Sequence, residues 1–157
     1  MNEATIISNV FVAIRDNAAL KAWCTTNYGR NPYVYDGLDP DDPPPQANYP
    51  FVALLPDSRA TGDAREDEET GLILFMGIAD ATKTVDTAKR TVVYKGVANC
   101  IAFRRLVIAA AAAASLDDGY IAETGAEYDT LLEFPLFHIT QTLVVRRPYQ
   151  VRDDRVI

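Results

Sequence analysis

Two strand-length apolar runs, Phe51–Leu55 and Gly71–Ala79, flank a segment that no core can absorb. Between them, Asp57–Glu69 carries the acids Asp57, Asp63, Glu66, Asp67, Glu68 and Glu69 against only Arg59 and Arg65. Apolar runs of that length read as buried strands, while the intervening charge repels itself and stays in water. The pattern predicts a β-hairpin with a long charged tip, mobile in an isolated subunit because nothing apolar anchors it.

The remaining chain supplies what covers the hairpin. From Ala4 to Trp23, Ile6, Ile7, Val10, Phe11 and Ile14 recur at helical spacing, and Leu20 and Trp23 continue the pattern beyond a break near Asp16. Tyr33–Tyr35 reads as a short strand between two turn dipeptides. Asp39–Pro50 holds Pro40, Pro43, Pro44, Pro45 and Pro50, so it reads as an extended surface loop that cannot join a sheet ladder. Thr91–Tyr94 either ends a strand or begins a helix, and Val97–Ala114 is helical by its alanine content, with Asp117-Asp118-Gly119 as a glycine stop. Leu131–Val145 reads as one long strand bent at Pro135, with Phe137, Ile139, Leu143 and Val145 on one face and His138, Thr140 and Thr142 on the other. Helices flanking antiparallel strands predict an α+β domain: a mostly antiparallel sheet, two main helices packed on one face, and a long charged hairpin loop.

At 157 residues and 48% apolar content the chain is long enough for one core. Its formal charge of −7 argues against sequence-reading nucleic-acid binding, since an acidic surface repels phosphate. Cys24 and Cys100 are too few and too far apart for a disulfide framework, and both read as buried free thiols. Neither a signal peptide nor a membrane anchor is expected: the longest apolar stretch, Leu106–Ala114, is half the length a spanning helix needs.

The chemistry-bearing motifs are missing. There is no phosphate loop, no nucleophile elbow and no zinc-protease helix, and the single histidine, His138, reads as a solvated or hydrogen-bonded sheet residue. No catalytic residue, cofactor or metal is expected. The acidic tip interrupts its carboxylates with Arg59 and Arg65, unlike a calcium loop, so it reads as a solvated loop or a partner-facing one. Arg104 projects into the apolar arc of Val97, Cys100, Ile101, Val107 and Ile108, with Arg105 at its edge. A guanidinium there must snorkel, find a carboxylate in its own chain, or meet one across a subunit boundary, Glu133 or the tip acids being candidates. The last segment carries Arg146, Arg147, Arg152 and Arg155 with Asp153 and Asp154, and Tyr149, Val151, Val156 and Ile157 as apolar anchors. It reads as a free tail or as an arm contacting an acidic neighbour.

A helix bearing Trp23, a proline-rich loop ending in Tyr49-Pro50-Phe51-Val52-Ala53-Leu54, a hairpin closing in Gly71-Leu72-Ile73-Leu74-Phe75-Met76-Gly77-Ile78, a second helix and a last long strand together resemble the tail terminator proteins of long-tailed bacteriophages. The likeness runs roughly from Ile6 to Val145 and lies in element order and size; a related tail-completion or head-tail joining ring looks similar. It implies a single tail-terminator-like domain over 1–157 with a C-terminal arm over 146–157. It further implies a structural, non-enzymatic virion protein, assembled in the host cytoplasm. Such a protein forms a homo-oligomeric ring, usually a hexamer, at the head-proximal end of the tail. There it ends polymerisation of the tail tube protein and docks the head-tail connector protein, and DNA passes through the lumen unread. Head-to-tail contacts then fall to the oppositely charged segments: Arg59, Arg65, Glu66, Asp67 and Glu68 of the tip, Arg104 and Arg105, and Arg146, Arg147 and Arg152 of the arm. The alternative is a small-molecule-binding or enzymatic α+β domain with a pocket between the proline loop and the sheet, using Tyr33, Tyr35 and Tyr49.

Overall fold

Asn17 divides the first amphipathic stretch into two helices. In the computed structural model, which describes residues 1–60, 67–129 and 133–148, α1 spans Glu3–Asp16 and α2 spans Ala18–Tyr28. Each helix opens on an asparagine that accepts a backbone N–H three residues on: Asn2 from Thr5 and Asn17 from Leu20, both at 2.9 Å. Ile6, Val10 and Ile14 of α1, then Leu20 and Cys24 of α2, are buried. The expected break near Asp16 falls one residue later, at Asn17, and makes two helices of the stretch.

Strands β1 (Tyr33–Asp36), β2 (Phe51–Ala60), β3 (Asp67–Ala79), β6 (Tyr120–Asp129) and β7 (Leu136–Pro148) form one sheet in the order β1-β2-β3-β7-β6. Only β1 and β2 run parallel. A separate hairpin pairs β4 (Lys83–Asp86) with β5 (Thr91–Tyr94), and α3 (Lys95–Ala112) follows directly. The three helices cover one face of the sheet. Val52, Leu54, Leu72, Leu74, Met76, Ile78, Phe137, Ile139, Leu143 and Val145 meet Cys100, Phe103 and Val107 of α3 and the buried residues of α1 and α2. The fold is the predicted two-layer α+β arrangement.

Four details differ from the sequence reading. The charged segment is ladder at both ends, because the register continues through Arg59↔Thr70 and Ala60↔Glu69 past a bulge between Pro56 and Ser58. The last strand begins at Leu136, after a turn in which the Leu136 N–H donates to the Glu133 carbonyl at 2.7 Å, so Pro135 precedes the strand and does not bend it. Thr91–Tyr94 is a strand, and β4 and the edge strand β6 carry no apolar alternation that reveals them. After α3 the left-handed residues are Asp117 (φ 47°) and Asp118 (φ 64°), not Gly119. Gly119 is required for another reason: a Cβ there meets the stem of Arg147 at 2.5 Å.

Candidate functional site

The acidic and basic blocks are neighbours in one chain. The β3–β7 register sets Glu68 opposite Arg147 and Glu69 opposite Arg146. Glu68 lies 3.5 Å from both Arg59 and Arg147, and Glu69 lies 3.4 Å from the Arg146 Nε, within ion-pair reach although that N–H has no aligned acceptor. Arg147 is the most enclosed of these cations at 5% exposure. It donates from Nε to the Leu116 carbonyl at 3.2 Å and from Nη1 to the Met1 carbonyl at 3.0 Å, tying the end of α3 and the start of α1 to the sheet. Asp67 is exposed opposite Pro148. Arg65, Glu66 and Arg152 lie outside the described residues, as do Asp63 of the tip and Tyr149, Val151, Val156 and Ile157 of the arm.

Arg104 finds its partners within the chain. Nε donates to the Tyr128 hydroxyl at 2.7 Å, and Nη1 donates to Glu123 at 2.7 Å and to the Gln141 side-chain carbonyl at 2.8 Å. Burial works against its charge, but Glu123 and Tyr128 outweigh burial and hold its pKa above the ordinary arginine value. Gln141 is fully buried on the core face of β7, and its amide donates to the carbonyls of Gly125 and Thr142, both at 2.8 Å. A glutamine interrupting the alternation of Phe137, Ile139, Leu143 and Val145 was the sequence signal for this network. Arg105 is exposed, and Glu133 pairs elsewhere.

The sheet face opposite the helices carries an aromatic cluster of Tyr49, Phe51 and Phe75 around His138. Glu133 lies 3.1 Å from Nδ1 of His138 and the Tyr49 hydroxyl lies 2.6 Å from Nε2. A carboxylate only accepts, so in the neutral ring Nδ1 carries the proton and Nε2 accepts from Tyr49. Burial first, then the charges of Glu133 and Tyr35, raises the Tyr49 pKa. This chain of bonds fastens the proline loop to the sheet. Gly77 leaves the space: a Cβ there lies 2.5 Å from the Phe51 ring and 3.0 Å from those of Tyr49 and His138.

Beside this cluster is an open cleft of about 800 Å³, floored by Phe75, Leu136 and Thr140, walled by Pro43, Pro44 and Tyr49, and edged by Glu127, Asp129 and Glu133. Tyr33 and Tyr35 stack on each other at 5.8 Å and do not line it, so of the predicted pocket tyrosines only Tyr49 does. Cys24 and Cys100 are buried on the opposite, helix-covered face, which separates both thiols from His138. Among the described residues no group of three or more His, Cys, Asp and Glu side chains could hold a metal ion.

The β4–β5 hairpin was missed by sequence reasoning, although β-branched residues flanking the polar turn Asp86–Arg90 were its signal. Val85 is 56% exposed, Val92 50%, Val93 60% and Tyr94 41%. Its root is fixed. Asp80 accepts from the Thr82 N–H at 2.9 Å and from the Tyr28 hydroxyl at 3.0 Å, Lys95 N–H donates to the Thr82 carbonyl at 3.1 Å, and Tyr94 meets Phe134 edge-on at 5.3 Å.

No family model matches the chain, and no curated protein matches it. Among solved structures it is similar to a chain in the virion of a native gene transfer agent particle, with 17% identity, a TM-score of 0.49, and coverage of 89% of this chain and 92% of that one.

Proposed function

We propose that the chain is a structural subunit of a phage-like virion, forming a ring at the head-proximal end of a tail tube, where it ends tube polymerisation and joins the tail to the head connector. The observation that carries this reading is the β4–β5 hairpin. An isolated two-stranded hairpin is marginal in water, and this one exposes Val85, Val92 and Val93 while its root is tightly bonded. A rigidly rooted arm with apolar side chains in solvent suits a protein whose working state is an assembly. The element order set out above supports the tail-terminator form of that assembly, with the tail tube and the connector as neighbours and DNA passing unread.

Light scattering on the purified protein, and negative-stain imaging with and without tail tubes, test it. The expected result is a ring at one end of each tube and arrested tube growth. A protein that never decorates a tube end and leaves tube length unchanged overturns the tail role. The cleft beside His138 favours the second reading, a ligand-binding domain. A thermal-shift screen against metabolites and metals tests that reading, since a ligand binding only the folded form raises the melting temperature.

A further inference from the structure

We infer that the β4–β5 hairpin of one copy of this chain docks into the acidic cleft of the next copy, head to tail. This rests on the ring reading for its biological setting but on separate observations for its geometry.

The two surfaces are complementary in charge and in polarity. From Lys83 to Tyr94 the hairpin presents Lys83, Lys89 and Arg90, all exposed, against the single acid Asp86. The cleft presents Glu127, Asp129 and Glu133, and among the described residues no lysine or arginine lines it. Inside these charges both surfaces are apolar: Val85 and Val92 oppose each other across the hairpin ladder, and Phe75, Leu136 and Tyr49 line the cleft. Buried apolar area supplies affinity, and opposite charge at the rim steers and orients the encounter.

Size limits how much of the hairpin enters. A volume of about 800 Å³ lies within the roughly 300–1,000 Å³ of pockets that enclose small ligands. It therefore takes a few side chains of one hairpin face and leaves the basic turn against the acidic edge.

The contact must be between copies. In its own chain the hairpin is exposed along both strands, and β5 runs straight into α3, which packs on the sheet face opposite the cleft. Donor and acceptor are different patches: where each hairpin enters the cleft of a third copy the interface is heterologous and propagates until rotation closes a ring, whereas reciprocal exchange between two copies closes as a two-fold dimer.

The test uses the full chain in two charge-reversed forms: Lys89→Glu with Arg90→Glu on the hairpin, and Glu127→Lys with Asp129→Lys on the cleft. All four positions are exposed, so both forms are expected to melt close to the parent. Sedimentation velocity over a concentration series should show association of each form weakened at least about tenfold, because like charges then face each other. Mixing the two forms should restore assembly with the copies alternating, because reversed hairpin meets reversed cleft at one interface and native hairpin meets native cleft at the next. Combining all four substitutions in one chain should restore association. Val92→Asp, with charge otherwise native, checks the apolar part and should also weaken it, since Val92 shares a hairpin face with Val85.

Association of either reversed form equal to the parent's overturns the contact, as does a parent that stays monomeric throughout. Loss of association only on truncation after Pro148 assigns the cleft to another segment of the chain and also overturns it. The tail role fails separately: a parent that assembles through hairpin and cleft yet never caps a tube keeps this contact and loses the ring-terminator reading.

Discussion

Replacing Arg147 separates a folding role from an assembly role for the basic block. Arg147→Ala removes two buried methylenes beyond Cβ, worth about 1.6 kcal/mol at ~0.8 kcal/mol each. It also removes the charge-assisted hydrogen bonds to the Leu116 and Met1 carbonyls at 3.2 and 3.0 Å. A hydrogen bond to a charged group is worth about 1.5–3 kcal/mol net, and two sharing one guanidinium contribute together nearer the upper value than twice it. The longer contacts to Glu68 (3.5 Å) and to the exposed Asp117 (3.8 Å) add little. The total is about 4 kcal/mol, a large share of the ~5–15 kcal/mol typical of a domain. At ~2–4 °C per kcal/mol for a chain of this size, the melting temperature should fall by roughly 8–16 °C. Arg147→Met keeps a stem against Gly119 and should lose roughly half as much. Urea denaturation of the three proteins reads the difference directly. An alanine variant within about 1 kcal/mol of the parent, with association abolished, refutes the enclosed geometry and returns Arg147 to the interface.

Asp80 titrates with the fold. Burial raises its pKa, but the Thr82 backbone and hydroxyl, the Tyr28 hydroxyl and the charge of Lys95 outweigh burial and leave it below the ordinary value. The stabilisation is present above the unfolded pKa of about 3.9 and is lost as pH falls through the folded one, so melting temperatures between pH 5 and 2 should drop less steeply in Asp80→Asn than in the parent. Gly77→Ala should cost about 1–3 kcal/mol by overpacking the Phe51, Tyr49 and His138 rings, whereas Gly125→Ala, whose Cβ finds its nearest atom at 3.5 Å, should melt within a few degrees of the parent. Burial pushes the Cys24 thiol up to about 12 and raises that of Cys100, so a thiol reagent at pH 8 should label neither cysteine until denaturant is added; rapid labelling of the native protein contradicts the buried placement.

The elements legible in the sequence are those whose side chains meet the core. β2 and β3 announce themselves as unbroken apolar runs because both of their faces are covered, α3 by its alanines and the core half of β7 by its alternation, and Asn17 announces the break between α1 and α2 by its capping chemistry. β6 is silent for the converse reason: Glu123-Thr124-Gly125-Ala126-Glu127 sits at a sheet edge with a bulge between Glu123 and Gly125, where acids and irregularity blunt an edge and erase alternation. The β4–β5 hairpin carries only the local cue of β-branched residues around a polar turn, because its valines are exposed and no period separates an inner from an outer face. At the site, Arg104 was visible as a charge in an apolar arc, but its partners come from β6 and β7. Only pairing across 19 and 37 positions brings Glu123 and Gln141 to it.

The same distinction decides where the chain's charge can act on a partner. In the sequence, the acidic tip and the basic arm look like the two halves of an intersubunit contact. In the fold, Glu68 and Glu69 already pair with Arg59, Arg146 and Arg147 across adjacent strands of one chain, so much of that complementarity is used in closing the far end of the sheet. A pair satisfied within a subunit offers a second subunit little, since recruiting it costs the desolvation of charges that have already found partners. Part of the exposed charge on the described surface is grouped by element: Asp41 and Asp42 precede the Pro43–Pro44 wall of the cleft, Glu127 and Asp129 edge it, and Lys89 and Arg90 tip the hairpin. Among the described residues that line the cleft, none belongs to the hairpin of the same chain. The excess of acid expressed in the formal charge of −7 therefore points to the cleft as the acceptor and to the hairpin, one of the few basic surfaces available, as its donor.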